Sequence, residues 1–161
     1  MLEHDMKEAN DRKIEIEDAE PDTVETFLGY LYEAKVPNLD VEQASNLMRM
    51  ADKYNVHTLV KACQGYLCDN LRADNLVQVA IVGHLCKEDQ LKDAAISKMI
   101  SSEVGNLRSL KDWKKLAGYP ELFMDIAEQM KNELEENTRK LIEFVNRIKV
   151  SRENRMKCTT T

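Results

Sequence analysis

The chain has few of the residues that interrupt regular structure. Its 161 residues include three prolines and five glycines, so long disordered linkers are not expected. No apolar run approaches the roughly twenty residues that a membrane-spanning helix needs, and we expect no membrane segment. The N-terminal residues Glu3 and Asp5 stand where a secretory signal would carry positive charge and then an apolar run. These absences predict a protein of the nucleus, the cytoplasm or both.

The sequence also lacks the motifs of common catalytic and metal sites. Its four cysteines fit no paired Cys-x-x-Cys template. Neither His84 with Cys86 nor His57 with Cys63 supplies four ligands at zinc spacing. A glycine-rich phosphate loop and a Gly-x-Ser-x-Gly elbow are absent, and a net charge of −6 disfavours a general nucleic-acid binder. We therefore predict no enzymatic activity, no cofactor, no metal and no nucleic-acid partner.

One short segment near the N-terminus alternates like a β-strand. Ile14 and Ile16 alternate with charged residues in the run Arg-Lys-Ile-Glu-Ile-Glu, whereas everything after Pro21 has helical spacing. A lone strand leaves its backbone donors and acceptors unpaired. Either this strand prediction is wrong or the rest of a sheet lies outside the chain, and the helical pattern that follows favours the second interpretation.

Apolar residues then recur at helical spacing in five short stripes. The stripes occupy 24–31, 44–54, 56–67, 76–85 and 91–100. Asp40 is the predicted N-cap of the second helix, with Gln43 completing a capping box. Because the breaks between stripes are short, we expect antiparallel helical hairpins and no parallel sheet.

A longer amphipathic pattern follows Pro120. Its apolar positions have the alternating four–three spacing of a heptad seam. They are Leu134, Thr138, Leu141, Val145 and Ile148. Because the seam covers only about two heptads, two interpretations stay open: a helix docked on its own domain, and a homotypic coiled coil. Residues 152–161 show no periodicity and are expected to fray.

Several short motifs, taken together, resemble a known family. The sequence Ala-Asp-Lys-Tyr at 51–54 is the most specific of them and resembles a helix end in BTB/POZ domains. Met-Leu-Glu-His-Asp-Met-Lys-Glu at 1–8 resembles the end of the third BTB helix, and the segment 14–16 resembles the strand after it. Asp-Gln-Leu-Lys at 89–92 is similar to the BACK-type extension. The resemblance covers roughly 1–130 and points to the MATH-BTB family.

The resemblance implies a mainly α fold with three parts. It implies the C-terminal portion of a BTB/POZ domain at 1–71, with one residual strand, and a BACK-like helical extension at 72–132. A long amphipathic helix and tail would occupy 133–161. The MATH domain and the N-terminal half of the BTB domain would be missing, so the chain is expected to be a fragment, a truncated gene model or a degenerate paralogue.

The same resemblance implies a partner. In BTB adaptors of this kind, a hydrophobic–any–Glu motif contacts the N-terminal domain of the third cullin, and Met6 with Glu8 fits that motif. Leu2 shares a helical face with Met6 and either packs inward or extends the contact. Tyr54 either contributes to the contact or lies in the core.

Two functions follow from this resemblance. The first is an adaptor of a cullin-RING ubiquitin ligase, which would bind substrates only through a region absent here. The second is a BTB/BACK self-assembly module that forms a homo-oligomer without ligase function.

Overall fold

The computed structural model of the protein describes the backbone of three stretches of the chain and most of their side chains. The stretches are 19–34, 39–101 and 109–158, with side chains described up to residue 149. The strand predicted at Ile14 and Ile16 lies outside the described residues.

Within those stretches every regular element is a helix, which confirms the mainly α fold with a long C-terminal helix. The α-helices are α1 (Pro21–Glu33), α2 (Val41–Lys53), α3 (His57–Asp69), α4 (Leu76–Leu85), α5 (Asp89–Ile100) and α6 (Pro120–Cys158). A 3₁₀ helix, Trp113–Gly118, precedes α6. None of the helices in these stretches has the length and apolarity needed to cross a bilayer.

The chain divides into two compact units, Met1–Leu67 and Cys68–Thr161. The first unit contains α1, α2 and most of α3. The second contains α4, α5, the 3₁₀ helix and α6. The predicted domain limits at 71 and 132 stay predictions.

Helix α2 begins where the sequence places its N-cap. The Asp40 carboxylate accepts a hydrogen bond from the Gln43 backbone N–H at 2.8 Å, and the Gln43 side chain accepts one from the Asp40 N–H at 3.0 Å. Each bond satisfies an N–H that has no partner within the helix. The predicted capping box is therefore confirmed, and it fixes the register in which Leu47 and Met48 enter the core.

The stripe predicted for α1 lies on a helix, but the structure buries only part of it. Helix α1 packs on α2 and buries Phe27, but Leu28 and Leu31 remain 46% and 52% exposed. A helix that packs on one neighbour covers only the side chains along the line of contact. Leu28 and Leu31 therefore stay open to solvent, whereas Val24 is half-buried.

In the second unit, α4 is the central helix. It contacts α5, the 3₁₀ helix and α6, and its residues 76–77 and 79–83 are all buried. A helix that is apolar on every side needs neighbours on every side. Leu85, the last residue of the predicted stripe, is an exception because it remains 42% exposed.

Helices α4 and α5 approach each other closely at Gly83. A Cβ placed on Gly83 would lie 2.8 Å from the backbone nitrogen of Lys92 and 3.1 Å from its Cα. Only a residue without a side chain fits this contact. The close approach lets Leu91 and Ala95 of α5 become fully buried.

A lysine links α5 to the beginning of α6. The Lys92 ammonium lies 2.8 Å from the Asp125 carboxylate and 3.2 Å from that of Asp89. The hydrogen bond that Lys92 donates to the Asp125 carboxylate raises the pKa of Lys92 above its ordinary value, although partial burial opposes this effect. The pair therefore stabilises the fold below the unfolded-state pKa of lysine, and this contribution is lost as the pH rises through the folded-state pKa.

Helix α6 has a packed beginning and an exposed continuation. Leu122 and Ile126 are buried, whereas Leu134 and Leu141 are 68% and 63% exposed. The interpretation that docks the seam on its own domain is therefore wrong. A period of 3.6 residues marks an apolar face but does not state what covers it.

The prediction that residues 152–161 fray is wrong for 152–158, which continue α6. This segment is composed largely of Arg, Lys, Glu and Met, which favour helix even without an amphipathic pattern. Neither proline nor glycine follows Pro120 to end it.

Candidate partner-binding surface

Tyr54 is the one proposed contact residue that lies within the described stretches. It is the C-cap of α2, its backbone N–H donates to the Met50 carbonyl at 3.0 Å, and its side chain is 44% exposed. Leu2, Met6 and Glu8 lie outside the described residues, so their arrangement around Tyr54 stays a prediction.

The chain makes a tight turn immediately after Tyr54. Asn55 adopts a left-handed conformation with φ 57°, which asparagine tolerates better than most residues. The Asn55 N–H donates to the Asp52 carbonyl at 3.0 Å, and the Val56 N–H donates to the Ala51 carbonyl at 2.8 Å. These two bonds form a Schellman motif, which explains why helix α2 ends directly after the Ala-Asp-Lys-Tyr sequence.

The Tyr54 ring is held on one side and open on the other. Its centroid lies 5.4 Å from that of Phe27 on α1, with the ring planes tilted by 37°. The Lys53 ammonium lies 5.6 Å from the centroid of the Tyr54 ring, within the range of a cation–π contact. Tyr54 therefore contacts the buried Phe27 and also presents nearly half of its surface to solvent, and its part in the cullin contact stays a prediction.

A cleft of ≈ 360 Å³ opens beside Tyr54 in the first unit. It lies between the beginning of α1 and the C-terminal half of α2. Its lining residues are Ala19, Glu20, Thr23, Asn46, Arg49, Met50, Lys53 and Tyr54. The lining of the cleft thus includes two cationic side chains, one carboxylate and one amide, beside the apolar side chains of Ala19 and Met50.

Sequence reasoning missed this cleft. Arg49 and Lys53 are four residues apart and so share a face of α2, which was a readable signal. Glu20 and Thr23 line the cleft only because α1 packs on α2. This packing cannot be predicted from a short stretch of sequence.

The described residues offer no group of three or more His, Cys, Asp or Glu side chains placed to hold a metal. Cys63 and Cys86 are buried, and Cys68 is half-buried. Burial raises the pKa of the Cys68 thiol, and the neighbouring Asp69 charge raises it further. Because the thiolate is the reactive form, Cys68 is a poor nucleophile at neutral pH.

A second candidate surface lies on α6. We call it the α6 seam and define it as the predicted heptad positions together with the apolar side chains that flank them. Its members are Leu134, Thr138, Leu141, Ile142, Phe144, Val145 and Ile148, all of them exposed. An apolar surface of this length on a helix is typical of an interaction site.

Comparison with known proteins supports the family resemblance for the first part of the chain. Residues 1–71 match the family model of the BTB/POZ domain. TD and POZ domain-containing protein 5 of Mus musculus is 32% identical over 117 residues, which make up 72% of this chain and 34% of that protein. The chain thus spans about a third of the length of this curated relative.

The Schellman turn, the Tyr54 ring and the cleft all lie in the portion of the chain that this family model matches. BTB/POZ domains mediate protein–protein interaction and oligomerisation, which agrees with an exposed ring beside a polar cleft. Residues 1–71 therefore carry a BTB/POZ domain match within a mainly α fold, and this match supports a protein-interaction role for the chain.

Proposed function

We propose that the chain is a non-catalytic adaptor of a cullin-RING ubiquitin ligase. It would bind the N-terminal domain of the third cullin, as its resemblance to speckle-type POZ protein and other MATH-BTB adaptors suggests. The observation that carries the proposal is the BTB/POZ match at 1–71, together with the half-exposed Tyr54 ring at the end of α2. Substrate proteins would bind through the MATH region, and the chain would act in the nucleus, the cytoplasm or both.

The physical logic is an apolar anchor with a charged rim. Met6 would enter an apolar pocket of the cullin, and Leu2 would extend that contact along the same helical face. The Glu8 carboxylate at the rim would fix the orientation. Tyr54 would add an aromatic ring, a side chain enriched at binding hot spots.

We expect the substitution Met6→Asp to weaken cullin binding by about tenfold or more, because it places a charge where an apolar anchor must be desolvated. The measurement is calorimetric titration of the full chain with the cullin N-terminal domain. Equal affinities of the wild-type chain and Met6→Asp would remove the proposed anchor.

Two tyrosines provide a matched pair for the same titration. Tyr54→Ala should weaken binding, whereas Tyr32→Ala should leave it unchanged, because Tyr32 is 89% exposed near the end of α1 and does not line the cleft. Circular dichroism of each variant verifies that the helices are retained.

The second candidate function is self-assembly through the BTB/BACK helices and the α6 seam. The exposed apolar side chains of α6 favour it. Light scattering over a dilution series should show a mass that rises with concentration. A strict monomer at all concentrations would count against this function and would leave the cullin proposal intact.

A further inference from the structure

We infer that α6 pairs with α6 of a second copy as an antiparallel coiled coil over residues 135–149. This inference specifies the self-assembly candidate and is independent of cullin binding. The second copy is the occupant because the α6 seam matches itself, and its direction is set by the side chains that flank the core positions, which complement one another only when the second helix runs in the opposite direction.

The α6 seam is apolar, continuous and open to solvent. Leu141, Val145 and Ile148 expose 63%, 42% and 44% of their surfaces. Thr138 is the one polar member, and its hydroxyl donates to the Leu134 carbonyl at 2.8 Å. Its donor is therefore already satisfied by the backbone, and the residue can enter an apolar layer without leaving a buried group unpaired.

The opposite face of α6 is suited to remain in water. Glu136 lies 3.0 Å from Arg139 and 3.5 Å from Lys140, in ion pairs along that face. Both signs of charge are interspersed on it, so the helix lacks the basic polar face that binds an anionic membrane. A narrow apolar stripe backed by intrahelical ion pairs is typical of a coiled-coil strand.

In an antiparallel coiled coil, the a positions of one helix face the d positions of the other. With the two-fold axis at the level of residue 143, Leu141 faces Val145 of the second copy and Thr138 faces its Ile148. Each contact occurs twice, which gives four layers. In this register Leu134 falls opposite position 152 of the second copy, an arginine in the sequence, so the apolar core ends at the layer of Thr138 and Ile148.

The flanking positions decide the orientation. In the same register, Ile142 meets Ile142 of the second copy on one flank, and Phe144 meets its counterpart on the other. Glu135 then lies opposite Lys149 of the second copy, again twice. Glu135 already lies at the edge of the seam, where its carboxylate is 3.8 Å from Lys131, and Lys149 is exposed.

In a parallel pair, the residues that flank the seam would face unsuitable partners. Flanking positions in a parallel coiled coil meet five residues apart, so Asn137 would face Ile142 and Phe144 would face Lys149. A polar amide and a cation would then oppose apolar side chains. At these flanking positions the antiparallel arrangement instead pairs apolar with apolar and acid with base.

Charge reversal tests the inference directly by sedimentation equilibrium of the full chain. Glu135→Lys and Lys149→Glu each place like charges together twice, so each should raise the dissociation constant about fivefold to thirtyfold. The double variant restores both pairs and should recover the wild-type dissociation constant. An equimolar mixture of the two single variants should also associate as the wild-type chain does, because their helices are again complementary.

The matched controls lie outside the seam. Glu136→Lys and Lys140→Glu make the same changes of charge on the opposite face, and they should leave the dissociation constant within about twofold of wild type. Comparing variants at equal concentration separates α6 pairing from any association through the first unit, which all variants share. Leu141→Asp places a carboxylate in each of the two central layers. It should abolish the association, which the charge reversals at 135 and 149 only weaken.

Two results would overturn the inference. One is a dissociation constant that no substitution at 135 or 149 changes. The other is a double variant that stays as weak as the single variants, because only the antiparallel register joins these two positions. Either result leaves the cullin titration unaffected, so failure of this inference and failure of the adaptor proposal are distinguishable.

Discussion

Replacing Leu91 by alanine should lower the free energy of unfolding of the second unit by about 2–5 kcal/mol. Leu91 is fully buried on α5, the helix that packs on α4. The substitution removes apolar contacts and leaves a cavity that closely packed helices cannot fill by relaxing. Urea denaturation followed by circular dichroism measures the loss.

Leu134→Ala is the matched control for this experiment. It makes the same chemical change in the same unit, but Leu134 is 68% exposed. We expect a change of no more than about 0.5 kcal/mol, since alanine favours helix and little burial is lost. Equal losses for the two variants would contradict the packing of α5 against α4.

The features predicted correctly are those that a short stretch of sequence determines. The capping box of α2 needs only Asp40, Gln43 and the backbone between them, and both of its hydrogen bonds form. The apolar stripe of α3 was likewise accurate, since Leu59, Cys63 and Leu67 are all buried. In each case, the spacing of residues contains the information that the structure uses.

The sequence does not predict which surface packs against the apolar face of each helix. Leu31 belongs to the apolar stripe of α1 and remains 52% exposed, and the exposed side chains of the α6 seam contradict one of its two open interpretations, the docked helix. Periodicity defines the apolar face of a helix, but the neighbour of that face comes from tertiary packing or from another molecule.

The candidate partner-binding surface also has one part that the sequence predicts and one part that it does not. The Ala-Asp-Lys-Tyr sequence locates Tyr54 at a helix end, and the structure adds the reason, a Schellman turn at Asn55. The cleft could not be read from sequence because it joins Thr23 to Arg49. The two lie on different helices and meet only after α1 packs on α2.

Gly83→Ala should destabilise the second unit by about 1–3 kcal/mol, although alanine favours helix over glycine by about 1 kcal/mol. The added Cβ would lie 2.8 Å from the backbone nitrogen of Lys92. Because that atom belongs to the α5 backbone and is no flexible side-chain end, the two helices must move apart. Urea denaturation measures the loss, and hydrogen exchange at α4 and α5 amides locates it.

Gly65→Ala is a control that we expect to stabilise the protein, whereas Gly83→Ala destabilises it. Gly65 lies in the interior of α3, and a Cβ there meets nothing within 4 Å. Alanine should therefore slow exchange of α3 amides, with a gain of about 0.5–1 kcal/mol from helix propensity alone. If both glycine substitutions stabilised their helices, the close contact between α4 and α5 would not exist in solution. If Gly83→Ala destabilises the protein and Gly65→Ala stabilises it, the backbone contact at Gly83 outweighs the higher helix propensity of alanine, which acts at both positions.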